Sequence, residues 1–224
     1  MSHKIRVWDL PTRCFHWALA LAVVCLVITG NIGGDAMAWH FRFGYAVLSL
    51  LLFRIVWGIV GGYWSRFVQF IYSPRSILNY LKGQGRPADS VGHSPLGALS
   101  VFGLLAFLGG QVGSGLFSDD EIAFSGPLAK FVSNDVVSQL TWYHTEVGKT
   151  VIIVLVILHV AAILFYLLKK KENLVRAMVL GDKEVAAPAA SLPMSIDTAS
   201  SRMSALVILS VCSAAVYGLV SLGT

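Results

Sequence analysis

Five long apolar runs constrain what this chain of 224 residues can fold into. They cover residues 15–32, 40–61, 95–116, 140–168 and 203–222. A helix rises about 1.5 Å per residue, so about 18 residues cross the hydrocarbon core of a bilayer. Each run reaches that length, and the sequence therefore predicts five membrane-spanning helices. Asp9 and Pro11 place the start of the first helix before its apolar run, because aspartate caps helices and proline suits a first turn.

Composition supports a membrane protein and excludes several soluble classes. Hydrophobic residues make up 56% of the chain, charged residues 13%, and the mean hydropathy is +0.71. A soluble domain carries about 25% charged residues, so this chain has too little polar surface to cover a globule of its size. A soluble enzyme and a disordered chain are therefore not expected.

The positive charges indicate how the helices are oriented. Basic residues cluster before the first run, between the second and third, and after the fourth: Lys4, Arg6 and Arg13; Arg66, Arg75, Lys82 and Arg86; Lys169, Lys170, Lys171, Arg176, Lys183 and Arg202. The opposite loops are mainly acidic. Because basic loops stay in the cytoplasm, the N-terminus is predicted in the cytoplasm and the C-terminus on the outside. The net charge of +5 is then a topology signal, and no nucleic-acid partner is expected.

The spacing of the runs predicts three parts. Residues 1–183 form a four-helix core, residues 184–202 a linker, and residues 203–224 an additional spanning helix. The sequence AAPAASLPMSIDTASS at 186–201 is typical of a flexible linker. A stripe of small residues in the last helix (Ser210, Ala214 and Gly218) either docks on the core or forms a homodimer.

Four histidines inside the apolar runs are the candidate ligands of a cofactor. Threaded on the predicted topology, His16 and His159 lie toward the cytoplasm (the inner pair), and His40 and His144 toward the outside (the outer pair). On a regular helix, His144 and His159 differ by about 60° in direction and about 22 Å in height. The arrangement suits two cofactors stacked across the bilayer.

Two imidazoles at opposite axial positions make a low-spin haem that carries electrons. The sequence contains no CxxCH motif, as expected for haem b held without covalent bonds. Gly44 and Gly148 each follow a histidine by four residues, where a glycine lets a porphyrin approach the helix. Two alternatives stay open: each histidine bonds a neighbouring helix, or the histidines bind zinc, which prefers three or four ligands at one depth.

Seven sequence motifs occur in order along the chain: RCFHW (13–17), HFRFGY (40–45), FRIVWG (53–58), GHSPLG (92–97), WYHTEVGK (142–149), ILHVAAI (157–163) and NLVRAMVLGDK (173–183). Together they resemble the bacterial di-haem cytochrome b561 family, which is related to the cytochrome b subunits of nickel–iron hydrogenases and formate dehydrogenases. The resemblance covers about residues 6–183. It implies an all-α integral membrane four-helix bundle that holds two haems. The fifth C-terminal transmembrane helix, predicted from its apolar run, lies outside the resemblance.

The resemblance also implies ligands and a function. His16 and His159 would ligate the inner haem, and His40 and His144 the outer one. The family transfers electrons between membrane quinone and a periplasmic partner, here a c-type cytochrome or a hydrogenase-like enzyme of a respiratory chain. The matching quinone positions are His93, Ser94 and Gly97. An alternative is that Ser94 only caps the third spanning helix before Pro95.

Basic residues near the histidines are candidate partners of the haem propionates. Arg13 lies one turn from His16, and Arg42 and Lys149 flank the outer pair. Arg54 lies deep in the second run and needs a partner. Each of these residues is equally explained as a side chain that extends to the membrane interface.

Two other functions remain open at this stage. The first is a superoxide:quinone oxidoreductase acting at the outer haem, with Arg42 and Lys149 attracting the anion, although the acidic outer loop opposes it. The second is a channel or a metal transporter.

Overall fold

The structure is a computed structural model that describes residues 2–85, 89, 91–186 and 192–223. The α-helices are α1 (Leu10–Ile32), α2 (Met37–Val60), α3 (Pro74–Leu81), α4 (Pro95–Gly115), α5 (Asn134–Trp142), α6 (Lys149–Leu168), α7 (Leu174–Leu180) and α8 (Ala199–Ser221). A π-helix (Tyr143–Gly148) joins α5 to α6. Two strands, β1 (Ser2–Arg6) and β2 (Asp182–Ala186), form a small antiparallel sheet.

Among the described residues, five helical segments are long and apolar enough to cross a membrane. They are Leu10–Ile32, Gly34–Val60, Pro95–Gly115, Asn134–Leu168 and Ala199–Ser221. The prediction of five spans is confirmed. Asp9 caps α1 as expected, because its Oδ1 accepts a hydrogen bond of 2.8 Å from the backbone N–H of Thr12.

The spanning helices carry large apolar side chains on their outer surfaces. Leu21 on α1, Ile59 on α2, Leu158 on α6 and Val211 on α8 are all more than half exposed. In water such a surface would drive aggregation, whereas lipid tails solvate it. The exposed side chains therefore fit helices that face a bilayer.

The chain divides into two compact units. The first contains Met1–Phe15, Arg54–Gly103 and Ile157–Leu206, and the second contains His16–Phe53, Leu104–Val156 and Val207–Thr224. Each of the five long helices contributes residues to both units.

The first unit contains the sheet, which sequence reasoning did not anticipate. β1 pairs with β2 in the register Ser2 to Ala186 through Arg6 to Asp182, and Arg6 adds an ion pair of 2.5 Å to Asp182. His3, in β1, pairs with Val185. A small core packs around the sheet and the start of α7 and includes Ile5, Val7, Trp8, Trp64, Val91, Ala177 and Val185.

Asp9 is the centre of a buried polar network in the first unit. It is fully buried, and its carboxylate accepts hydrogen bonds from Ser65 Oγ (2.7 Å) and Trp57 Nε1 (3.2 Å) in addition to the cap. Arg54 is also buried, with its guanidinium 4.5 Å from the centre of the Phe67 ring. Asp9 supplies the opposite charge that such a buried cation requires.

The segment that precedes α8 is bonded to the first unit, whereas the sequence predicted a flexible linker. Ser195 is buried; its N–H donates to the carbonyl of Arg6 (2.8 Å) and its hydroxyl to that of Val7 (2.6 Å). Asp197 forms an ion pair of 2.8 Å with Arg6. Residues 187–191 of the predicted linker lie outside the described residues.

The second unit is built on a core of aliphatic side chains from α1, α2, α4 and α6. It consists of Ala22, Val47, Leu51, Leu108, Val112 and Ile152. This core packs the four helices together next to His40 and His144.

Candidate functional site

The outer pair, His40 and His144, meets inside the second unit. His40 lies on α2 and His144 in the π-helix. Their ring centres are 6.0 Å apart, and the ring planes are nearly perpendicular at 86°. Residues more than a hundred positions apart in sequence are thus neighbours.

A cavity of about 230 Å³ adjoins the two rings. Both histidines line it, together with Gly44 and Lys149. Most of the remaining wall is apolar and includes Val23, Leu26, Leu108, Val112 and Ile152. A flat apolar group with a few polar edges suits such a wall.

Hydrogen bonds set the tautomer of both rings. His40 Nδ1 lies 3.1 Å from the carbonyl of Leu26, and His144 Nδ1 lies 2.8 Å from that of Gln111. Because a carbonyl only accepts, Nδ1 carries the hydrogen in each ring. In a neutral imidazole the lone pair is then on Nε2, which is the usual arrangement of metal-binding histidines.

The pair fits an iron held between two axial imidazoles. A metal–imidazole bond is about 2.0 Å and the ring centre lies about 1.1 Å behind the nitrogen, so two ligands in line have ring centres about 6 Å apart. The separation of 6.0 Å between the ring centres is compatible with that distance. Within the described ranges, no group of three histidine, cysteine, aspartate or glutamate side chains gathers as zinc would prefer.

Two glycines that sequence reasoning did not assign to the site leave space for the imidazole rings of His40 and His144. A Cβ at Gly30 of α1 would lie 3.0 Å from His40 Cε1, and one at Gly115 of α4 would lie 2.8 Å from His144 Cε1. Both are closer than ordinary contacts. Gly115 lies in a glycine-rich stretch of α4, which gave a weak signal for close helix packing.

The two predicted glycines differ from each other. Gly44 lines the cavity, and a Cβ there would meet no atom within 4 Å. Gly148 is buried against the side-chain amide of Gln111 instead and does not line the cavity. Its glycine makes room for Gln111, because the π-helix turns this position toward α4.

The π-helix also corrects the regular-helix geometry predicted for this span. Residues Tyr143–Gly148 follow i→i+5 hydrogen bonding, so the rotation of 100° per residue does not apply to them. Such insertions frequently occur at functional sites. No sequence pattern indicated this one.

The basic residues beside the outer pair point in different directions. Lys149 lines the cavity. Arg42 is exposed, and its guanidinium lies 4.8 Å from the centre of the Trp39 ring. Two residues correspond to about 200° of helical rotation, so Arg42 faces away from the side that carries His40. It matches the interfacial alternative better than a role in the cavity.

Acidic residues lie at the edge of the same cavity. Asp119 and Asp120 both line it. Backbone N–H groups of Phe124 (2.8 Å), Ala123 (2.9 Å) and Ile122 (3.0 Å) donate to Asp120 and lower the pKa of its carboxyl. Asp120 therefore stays ionised, and the edge of the cavity is unfavourable for an anion.

The inner pair is divided between the units. His16, in the second, packs edge-on against Trp17 with ring centres 5.1 Å apart. His159, in the first, has Nδ1 3.4 Å from Ser100 Oγ. Both side chains are partly buried.

Arg13 is engaged by protein groups of the first unit. Its Nη1 donates to the carbonyl of Val179 (2.7 Å), and its Nη2 lies 3.8 Å from the Asp197 carboxylate. A Cβ at Gly181 would lie 3.2 Å from Arg13 Nε. These contacts place Arg13 against the end of α7, and its pairing with a haem propionate stays a prediction.

The predicted quinone residues surround the start of α4 in the first unit. The His93 ring packs against Phe70 (4.2 Å between ring centres) and Trp8 (4.7 Å). Ser94 Oγ accepts from the backbone N–H of Gly97 (3.2 Å), so the expected cap is present.

A chain of hydroxyl groups that sequence reasoning missed extends from Ser94. Tyr166 of α6 donates to Ser94 Oγ (3.1 Å), and its hydroxyl lies 2.6 Å from that of Tyr80 on α3. Burial, and then the hydrogen bond to Tyr166, raise the pKa of Tyr80 to about 12. Tyr166 follows His159 by seven residues, two turns along the same helix face, which is the only sequence signal.

Over residues 7–181, the sequence matches the family described as prokaryotic cytochrome b561. The chain belongs to this family. The match agrees with the resemblance noted for residues 6–183, and the five spanning helices are consistent with a cytochrome b561 helical bundle.

The curated relatives of the chain are described as cytochrome subunits of hydrogenases. The chain is 24% identical over 218 residues to a probable Ni/Fe-hydrogenase B-type cytochrome subunit of Bradyrhizobium diazoefficiens, covering 80% of this chain and 86% of the relative. A subunit of the same description from Azotobacter chroococcum is 26% identical, with 79% and 87% covered. A probable Ni/Fe-hydrogenase 1 B-type cytochrome subunit of Escherichia coli is 28% identical over 123 residues, 43% of this chain and 52% of the relative. No solved structure matches the chain.

These findings define the protein as a multi-pass membrane b-type cytochrome that acts in electron transfer. Haem b is its cofactor. The predictions of the family, of a multi-pass membrane protein and of haem b are confirmed.

Proposed function

We propose that the protein is a di-haem cytochrome that transfers electrons between the quinone pool and a redox partner in the periplasm. The observation that carries the proposal is the outer pair. The ring centres of His40 and His144 are 6.0 Å apart, and both rings donate through Nδ1. The Nε2 atom of each ring is therefore available as a metal ligand. Two such nitrogens would hold the iron of a haem that carries electrons.

We assign the outer haem to His40 and His144 and the inner haem to His16 and His159. A bound haem supplies an iron that accepts and releases one electron. The Nδ1 hydrogen bonds would hold His40 and His144 in place, and the mostly apolar cavity wall would limit contact of the haem with water. Gly44 provides space beside His40, and Lys149 is the basic residue in position to pair with a propionate.

Residues 1–183 are proposed as the haem-bearing core and residues 203–224 as the additional helix. The distribution of basic residues supports a cytoplasmic N-terminus and a periplasmic C-terminus in the inner membrane. In α8, a Cβ at Gly218 would meet no atom within 4 Å, so the small-residue stripe is free to contact a second copy in a homodimer.

The proposed quinone site lies at the start of α4, with His93, Ser94 and Gly97. Ser94 is connected to Tyr166 and Tyr80 by hydrogen bonds, which form a route for the proton that quinone chemistry requires. The raised pKa of Tyr80 keeps its phenol protonated at neutral pH, and a protonated phenol both donates and accepts.

The relatives support a hydrogenase-like subunit as the periplasmic partner, since each of those named above is described as a hydrogenase cytochrome subunit. A c-type cytochrome is the second partner class, and the acidic cavity edge at Asp119 and Asp120 suits a basic surface of such a protein. The same acidic residues disfavour superoxide, the substrate of the alternative function.

The haem content of purified variants tests the proposal. We expect two haems per chain in the wild type and one in either His40→Ala or His144→Ala. His16→Ala and His159→Ala should each remove the other haem. His3→Ala, in β1 and outside the spans, is the matched control and should retain both. A single haem in the wild type that persists in His40→Ala would contradict the proposal.

Stopped-flow reduction by a quinol tests the proton route separately. Ser94→Ala and Tyr166→Phe should slow haem reduction while leaving the haem content unchanged. Equal rates in both variants and the wild type would remove the quinone assignment without affecting that of the haems.

A further inference from the structure

Gln111 makes two direct contacts with His144. Its backbone carbonyl accepts from His144 Nδ1 (2.8 Å), and its side-chain Nε2 donates to the backbone carbonyl of His144 (2.9 Å). Ser114 Oγ donates to the same Gln111 carbonyl (2.9 Å) and lies 3.3 Å from His144 Nδ1. One residue of α4 therefore holds both the ring and the main chain of His144.

The side chain of Gln111 also lies against the π-helix that contains His144. In a regular α-helix the His144 carbonyl would accept from the N–H of Gly148, four residues on. Here the Gln111 amide donates to that carbonyl, and the remainder of the amide occupies the space where a Cβ of residue 148 would lie. A side chain larger than glycine at position 148 would collide with the Gln111 amide. The wider turn of the π-helix has room for this amide between the two helices.

The amide of Gln111 is costly to bury if its role is only to fill space. Its Oε1 is buried and has no hydrogen-bond partner among the described residues. An apolar side chain of similar size would avoid that cost. The donor at Nε2 is what a leucine or methionine would lack.

We propose that Gln111 is a positioning residue for His144, and that it sets the ring orientation and the donor strength of Nε2 toward the outer haem. The inference rests on the proposed ligation by His144. A ring that is held by a good Nδ1–H···O bond is a stronger donor through its other nitrogen. Loosening the turn weakens that bond, which destabilises oxidised iron more than reduced iron and raises the reduction potential.

Two substitutions remove the contact by different means. Gln111→Leu keeps the volume and removes the donor. Gly148→Ala keeps Gln111 but places a methyl group where its amide lies. Gln139→Leu, an exposed glutamine on α5, and Gly109→Ala, where a Cβ meets nothing within 4 Å, are the matched controls.

The experiment is a redox titration with low-temperature EPR on purified wild type and variants, with haem content measured for each. In Gln111→Leu and Gly148→Ala we expect about a tenfold shift in the reduction equilibrium of the outer haem, or about 59 mV upward for one electron. Its low-spin ferric signal should move, while the inner haem serves as an internal reference. Both controls should match the wild type.

Each result has one meaning. Unchanged potentials and EPR signals in both Gln111→Leu and Gly148→Ala overturn the inference. If Gln111→Leu does not assemble, Gly148→Ala decides alone. A wild type with one haem, or a His144→Ala variant that keeps two, refutes the proposed function instead, whatever Gln111 does.

Discussion

Replacing Asp9 by alanine should destabilise the protein strongly. Asp9 is fully buried and accepts from the Thr12 N–H, Trp57 Nε1 and Ser65 Oγ at 2.7–3.2 Å. The substitution removes the cap of α1 and the carboxylate acceptor of Trp57 Nε1 and Ser65 Oγ; Ser65 Oγ also lies 2.7 Å from Thr12 Oγ1. It also removes the charge that compensates buried Arg54.

The magnitude follows from these contacts. Loss of an N-cap costs about 0.5–2 kcal/mol. Each buried donor left unsatisfied costs about 1–3 kcal/mol. Allowing for partial relaxation, we expect Asp9→Ala to lower the free energy of unfolding by about 3–6 kcal/mol. Asp9→Asn keeps one acceptor oxygen and the cap but loses the charge, and should cost about 1–3 kcal/mol.

Unfolding by sodium dodecyl sulfate in mixed micelles, followed by tryptophan fluorescence and by the haem absorbance, measures these differences. Asp35→Ala, at an exposed position of the 3-10 turn before α2, is the control and should change stability by less than about 0.5 kcal/mol. If Asp9→Ala unfolds within about 1 kcal/mol of the wild type, the reasoning about the buried network is wrong.

Three further predictions concern other parts of the molecule. Gly115→Ala places a methyl group 2.8 Å from His144 Cε1, so we expect loss of about half or more of the outer haem, measured as haem per chain, whereas Gly103→Ala should retain it. Hydrogen bonds from Arg202 and Arg6 hold the pKa of Asp197 below its ordinary value of 3.8. The folded pKa is depressed, so the stabilisation is complete only well above the unfolded pKa of 3.8 and is lost as the pH falls through the folded pKa. The difference in unfolding free energy between wild type and Asp197→Asn should therefore shrink between pH 6 and 3, and a constant difference would contradict this. Tyr166→Phe should lower the rate of quinol-driven haem reduction by about tenfold or more, with no change in the haem potentials.

The spans and the outer pair were predictable because each depends on one-dimensional information. Hydropathy alone determines which segments can cross a bilayer, and the alternating direction of the spans places His40 and His144 at a common depth. A histidine in such a segment is costly, which makes it a strong functional signal. The sequence therefore predicted that His40 and His144 form a pair, without any information on how the helices pack.

Gln111, Gly30 and the sheet were not predictable, because each depends on a contact between distant segments. Nothing in the sequence near Gln111 indicates that its amide meets a carbonyl 33 positions away. Gly148 was expected to make room for a porphyrin, but the side chain of Gln111 occupies the space beside it. That contact also joins distant segments, so the sequence near Gly148 does not reveal it. Ser2–Arg6 has no alternating pattern strong enough to indicate a strand.

The pairing of β1 with β2 has a consequence for synthesis at the membrane. Arg6 and Asp182 are 176 positions apart, so at about 5–20 residues per second β1 leaves the ribosome about 9–35 s before its partner. Four apolar segments are synthesised during that interval, while β1 has no partner strand. Closure of the sheet is consequently a late step, which can occur only after the fourth span has been synthesised.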